Sequence, residues 1–153
     1  VPLETRRFAK TALVFLFLTF ALGTALTFAR GAGVAVPAII AVEHAHLGAV
    51  GFLVNIVIGI ALWMLPLDRE RFPDTQGRYP AAAPLLCWWL LNGGLTVRVV
   101  VEPLQQLLAP SSRALSAVLD AAALAQLGAI AIFAGVAWHR IRPPMPGRAG
   151  TRA

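Results

Sequence analysis

Four apolar runs constrain this chain more than any other feature. They are Thr11 to Ala29, Val34 to Leu67, Ala81 to Val101 and Ala114 to Trp138. Each reaches the length of about 20 residues that a helix needs to cross a bilayer. The breaks between them carry helix punctuation. Pro37 suits the first turn of a helix, and Pro66 lies at the exit of the same run. Pro103 closes the third run, and Pro110, Ser111 and Ser112 precede the fourth, which Pro143 and Pro144 follow. The pattern predicts an all-α fold: an integral membrane four-helix bundle of antiparallel spans. The spans fall near residues 11–29, 35–66, 81–101 and 114–138 of a single membrane domain.

Composition points the same way. Hydrophobic residues make up 58% of the chain and charged residues 13%, against about 25% charged in an average soluble domain. A chain of 153 residues cannot hide so much apolar surface in a water-soluble core. A soluble enzyme and a disordered tail are both excluded. The first run is longer than the roughly 7–15 apolar residues of a secretory signal, so it reads as a retained span. The net charge of +6 would suggest nucleic acid in a soluble protein. Here it sits between apolar spans, and no nucleic-acid partner is expected.

The connections divide by charge. Arg6, Arg7 and Lys10 precede the first span, Arg69, Arg71 and Arg78 join the second to the third, and Arg140, Arg142, Arg148 and Arg152 follow the fourth. The other two connections hold only Arg30 and Arg113. The positive-inside rule then places both termini in the cytoplasm of a multi-pass inner-membrane protein. The single cysteine, Cys87, cannot form an internal disulfide, and no Cys-x-x-Cys-His is present to attach heme covalently. Phosphate loops, nucleophile elbows and zinc-protease motifs are absent from the sequence.

Ionisable groups inside a span are costly and therefore functional suspects. They are Glu43, His44 and His46 on span two, Arg98 on span three and Asp120 on span four, with Glu102 at the end of span three. At 1.5 Å per residue, His44 lies about 10 Å and His46 about 14 Å inside the outer boundary, and Arg98 within about 5 Å of it. All fall in the outer third, which suggests one outer-side polar site. Plainer readings exist for some: Arg98 snorkels to headgroups or pairs with Glu102 at i, i+4, and Asp120 caps a helix start.

Two histidines beside a glutamate in lipid point to a ligand set or a proton path, and imidazole suits iron, copper and zinc. On a regular helix, residues two apart point about 200° away from each other, so His44 and His46 cannot hold one metal together. His44 shares its face with Gly48, Gly51, Asn55 and Gly59. That bare strip admits either a close helix neighbour or a flat porphyrin. His46 shares its face with bulky Val50, Leu53, Val57, Ile60 and Met64. His44 is therefore preferred as an axial ligand to heme iron, with Arg98 as the cation for a propionate. Glu43 would orient a histidine or relay a proton. Trp88 and Trp89 read as interfacial anchors. His139, at the far end of span four, reads as interfacial too.

The segment from Glu43-His44-Ala45-His46-Leu47-Gly48 to Trp63-Met64-Leu65-Pro66-Leu67 resembles the second helix of heme-copper oxidase subunit I and of nitric oxide reductase large subunits. The His-x-His form, with its following glycine and terminal proline, is most similar to NnrS-like membrane proteins. Trp88-Trp89-Leu90-Leu91-Asn92 and Arg98 add a weaker likeness. The resemblance covers about a fifth of the chain. It implies non-covalent heme b on His44 or His46, on the outer side. Those relatives have twelve spans and a second histidine cluster, whereas this chain has about four spans and no such cluster.

The expectation is thus a heme-binding membrane protein acting in electron transfer or in nitric oxide or oxygen binding. Its site residues are His44, His46, Gly48, Gly51 and Arg98, with Gly59 adding room. One chain offers no second axial histidine, so the iron is either six-coordinate across a homo-oligomer interface or five-coordinate and open to a gas. Two alternatives stand beside it. In one, Glu43, His44 and His46 hold copper or zinc without porphyrin, although Met and Cys ligands for Cu(I) are few. In the other, the chain is an accessory subunit without cofactor.

Overall fold

The computed structural model describes residues 1–80 and 82–141. Ala81, Arg142, Pro143, Pro144, Arg148 and Arg152 lie outside the described residues. Four long helical rods form an antiparallel bundle, with no strand among the described residues. The first rod is α1 (Leu3–Gly31). The second comprises α2 (Ala38–His46), a more widely wound π-helical stretch (Leu47–Val54) and α3 (Asn55–Met64). The third and fourth are α4 (Ala83–Leu108) and α5 (Arg113–Trp138). All four are long and apolar enough to cross a membrane, so the chain is a multi-pass membrane protein and lipid is its solvent.

Local chemistry sets most of the ends. Pro37 sits one position before α2, with extended ψ. Leu65 is extended ahead of Pro66, as the clash of a proline ring with the preceding residue requires. The Ser112 hydroxyl accepts from the Leu115 amide and caps α5. Pro103 does not end the third span as expected: α4 runs on to Leu108. A proline removes one intrahelical bond, and the turns on either side keep theirs. The first span also begins earlier than its apolar run, because Arg6, Arg7 and Lys10 ride on the initial turns of α1.

The helices associate as two pairs, α1 along the second rod and α4 along α5, with the second rod bridging them. Burying apolar side chains in a lipid solvent gains little, so close backbone approach must hold the pairs together. Small residues supply it. A Cβ added at Gly94 would stand 2.7 Å from the Ala122 carbonyl oxygen, and Ala122 and Ala129 are buried on α5. Between α1 and the second rod the contacts run in steady antiparallel register: Gly23 meets His44, Thr19 meets Gly48, Phe15 meets Gly51 and Phe8 meets Gly59.

The two ends of the bundle differ. At one, short turns link α1 to α2 and α4 to α5, with Arg30 and Arg113 nearby. At the other lie Arg6, Arg7, Lys10, Arg69, Arg71, Arg78 and Arg140. A core of Phe8, Ile58, Leu62, Tyr79, Cys87, Leu91 and Ala129 closes this arginine-rich end. Arg140 is fully buried there. It donates to the carbonyls of Leu62, Leu65 and Pro66, satisfying acceptors that the end of α3 leaves open.

Candidate functional site

The residues singled out from sequence divide between two faces of the second rod. Glu43 and His46 lie one turn apart on α2 and face α4. His44, between them, faces α1. The divergence expected from helix geometry is therefore present, and among the described residues Glu43, His44 and His46 do not converge as one group of metal-ligand atoms.

On the α4 side, His46 Nδ1 lies 3.4 Å from Glu43 Oε2. Glu102 of α4 completes the group: one ligand atom each from Glu43, His46 and Glu102 lie within 4.8 Å of one another. Arg98 Nη2 donates to Glu102 Oε2 at 3.3 Å. The Glu43 side chain is only 3% exposed, and its Oε1 is buried with no hydrogen-bond partner. Glu102 reaches this depth because α4 continues past Pro103. About 15 Å of helix lies beyond Arg98, rather than the short remnant a span ending near Val101 would leave. Asp120 is exposed on α5 and stands outside the group.

Between two and three helical turns further along the rods, the side facing α4 carries a buried amide pair. Asn55 Nδ2 donates to Asn92 Oδ1 at 2.9 Å, and Asn92 Nδ2 returns a bond to Asn55 Oδ1 at 3.1 Å. Asn55 also donates to the Gly51 carbonyl at 2.9 Å. That bond serves an acceptor on the π-helical stretch, where the usual i→i+4 pattern gives way to i→i+5. In lipid no water is available to do so.

On the α1 side the glycine strip is filled. A Cβ on Gly51 would fall 2.6 Å from the Phe15 ring, one on Gly48 3.3 Å from Thr19, and one on Gly59 2.9 Å from Phe8. Of the two occupants considered for the strip, the one present is a neighbouring helix, so Gly48, Gly51 and Gly59 make room for α1. The strip stays open only at its end nearest the turn between α1 and α2. There His44 lines a cleft of about 570 Å³ together with Thr19, Phe20, Gly23, Thr24, Phe28 and Arg30. Among the described residues His44 has no hydrogen-bond partner, and its Nδ1 is buried. Arg98, the residue expected to serve a propionate beside His44, is instead held by Glu102 on the opposite face.

One functional suspect escaped sequence reasoning, and a second was read too narrowly. Arg30 looked like a loop charge, yet it borders the His44 cleft. Glu102 looked like a helix-end partner for Arg98 alone. The Glu-x-x-His spacing of Glu43 and His46 was the readable signal, because that pair presents two metal-ligand types on one helical face. At the far end, His139 accepts from Arg71 Nη1 at 3.0 Å, remote from both sites. Comparison of the chain with protein-family models, with curated proteins and with solved structures finds no match.

Proposed function

We propose that this chain is a heme-binding integral membrane protein, with non-covalent heme b held on His44 in the cleft between α1 and α2. It would act in electron transfer or in binding a small gas such as nitric oxide or oxygen. One observation carries the reading: the His44 imidazole has no hydrogen-bond partner and lies on the wall of an open cleft. An unpaired imidazole in hydrocarbon carries a desolvation cost, and imidazole is a good ligand for iron. The likeness of span two to heme-binding helices supports the same reading.

The donor set fits the group on this side of the rod only. Phe20 and Phe28 offer apolar walls for a macrocycle, and Arg30 offers a cation for a propionate. Gly48, Gly51 and Arg98 are engaged elsewhere. Bound heme would supply a one-electron centre. The chain would orient it through His44, and the packing of α1 against the glycine strip would close the inner side to water. The cleft opens away from the bundle, so a second copy set against it would bring a second imidazole. Without that copy, His44 alone would hold the group, which could then take up a gas. The concentration of arginine at one end supports an inner-membrane placement with both termini cytoplasmic.

The test is an absorption spectrum of the purified protein, oxidised and reduced, with and without nitric oxide. The expected result is a Soret band that His44→Ala abolishes and His46→Ala retains. A colourless, heme-free protein overturns the proposal and leaves metal binding without porphyrin or an accessory subunit as the readings.

A further inference from the structure

The geometry points to a second site, independent of any heme: Glu43, His46 and Glu102 bind one divalent metal ion of the zinc, iron(II) or manganese class between α2 and α4.

Two carboxylates held this close inside an apolar bundle repel each other unless one holds a proton or a positive charge lies between them. Arg98 supplies part of it, but it bonds only Glu102. Glu43 is the uncompensated member. Its Oε2 has His46 Nδ1 at 3.4 Å. Its Oε1 is buried without a partner, and the side chain is 3% exposed. Buried carboxylate oxygens rarely stay unsatisfied, so the missing partner is a ligand of the site.

The donor types select that ligand. Two carboxylates and one imidazole are hard to borderline donors, suited to zinc, iron(II) and manganese, and they disfavour Cu(I), which wants thiolate or thioether. Glu43 and His46 form the Glu-x-x-His pair with which helical bundles present a carboxylate and an imidazole from one face, and a glutamate from a neighbouring helix completes such sites. Glu102 stands in that position. Three protein ligands leave a coordination position open, as in catalytic rather than structural zinc sites. Arg98, held at Glu102, adds a cation beside the group.

The test uses the full chain in detergent, stripped with chelator and then dialysed against zinc ion alone. The expected result is one zinc per chain. Glu102→Gln and Glu43→Gln, both isosteric, should each weaken zinc binding by about a hundredfold or more, since even outer-shell partners of a metal ligand are worth 10–100-fold. Asp120→Asn should bind as the parent does. Unchanged helical circular dichroism in Glu102→Gln separates loss of the site from loss of the fold. Absence of zinc from a folded parent protein overturns the proposal, as does full binding by both glutamine variants. The Soret band of the preceding test is read separately, so either site can fail without the other.

Discussion

The two faces of the second rod solve the same problem in opposite ways. Toward α1 the rod offers hydrogen atoms: Gly48, Gly51 and Gly59 let Thr19, Phe15 and Phe8 press against its backbone. Toward α4 it offers polar groups: Glu43 and His46 beside Glu102, and Asn55 paired with Asn92. In lipid, both close packing and interhelical hydrogen bonds hold helices together where burial alone does not. The difference lies in what is left over. Close packing consumes the face it uses, and only the tip by His44 remains open. Polar pairing leaves acceptor capacity unspent, and Glu43 Oε1 is what remains of that surplus.

The largest effect should come from breaking the packed face. Gly51→Leu would force a side chain into the Phe15 ring, which a bare Cβ already approaches to 2.6 Å. Overpacking of this kind costs roughly 1–3 kcal/mol, and the upper end is expected because ring and backbone are both fixed by the antiparallel register. Detergent unfolding followed by circular dichroism should show an earlier transition. An unchanged midpoint would mean that α1 is not seated on the strip.

The polar face should respond less and in a different pattern. Asn92→Leu leaves the fully buried Asn55 amide without its partner across the interface. Intramembrane hydrogen bonds average about 0.6 kcal/mol and reach about 1.7, so a loss of about 1–2 kcal/mol is expected. The double variant Asn55→Leu with Asn92→Leu removes both polar groups and should recover part of that loss. Strict additivity in the double-mutant cycle would show that the amides are not coupled, and the contrast between the two faces would lose its basis.

Lipid made the gross fold legible. A solvent that cannot hydrogen-bond backbone dictates helices of a fixed minimum length, and four apolar runs of that length announce four rods. Pro37, Pro66 and Ser112 marked ends because their effect is local. Pro103 misled because a helix survives the loss of one bond when its flanking turns are intact. The divergence of His44 and His46 followed from helix geometry alone. What covered each face did not, because it depends on which helix arrives there. A strip of glycines reads alike whether it meets a ring plane or Phe15. The winding change at Leu47–Val54 has no composition signal beyond apolar residues and two glycines. Arg140 read as a flanking charge, since its carbonyl partners at and just after the end of α3 lie more than seventy residues away in sequence.

The smallest expected effect lies outside both faces, where the loop between α3 and α4 meets the start of α1. Tyr79 is buried there, and its hydroxyl donates to Glu4 Oε2 at 2.8 Å. Burial and then the adjacent Glu4 carboxylate push its ionisation well above the ordinary tyrosine range. A raised folded-state value means that the neutral phenol is the form the fold stabilises. The contribution is complete below about pH 10, the unfolded value, and is lost as pH rises through the higher folded value. Tyr79 is the only tyrosine in the chain, so tyrosinate absorbance reports this contact alone. Titration should show that band emerging only above the ordinary range, with Tyr79→Phe silent and destabilised by about 1 kcal/mol. Because the tie anchors α1 at the end away from His44, neither the Soret band nor zinc binding should follow the tyrosine titration. Movement of either signal with it would mean that the register of α1 is set from this loop rather than by the glycine strip.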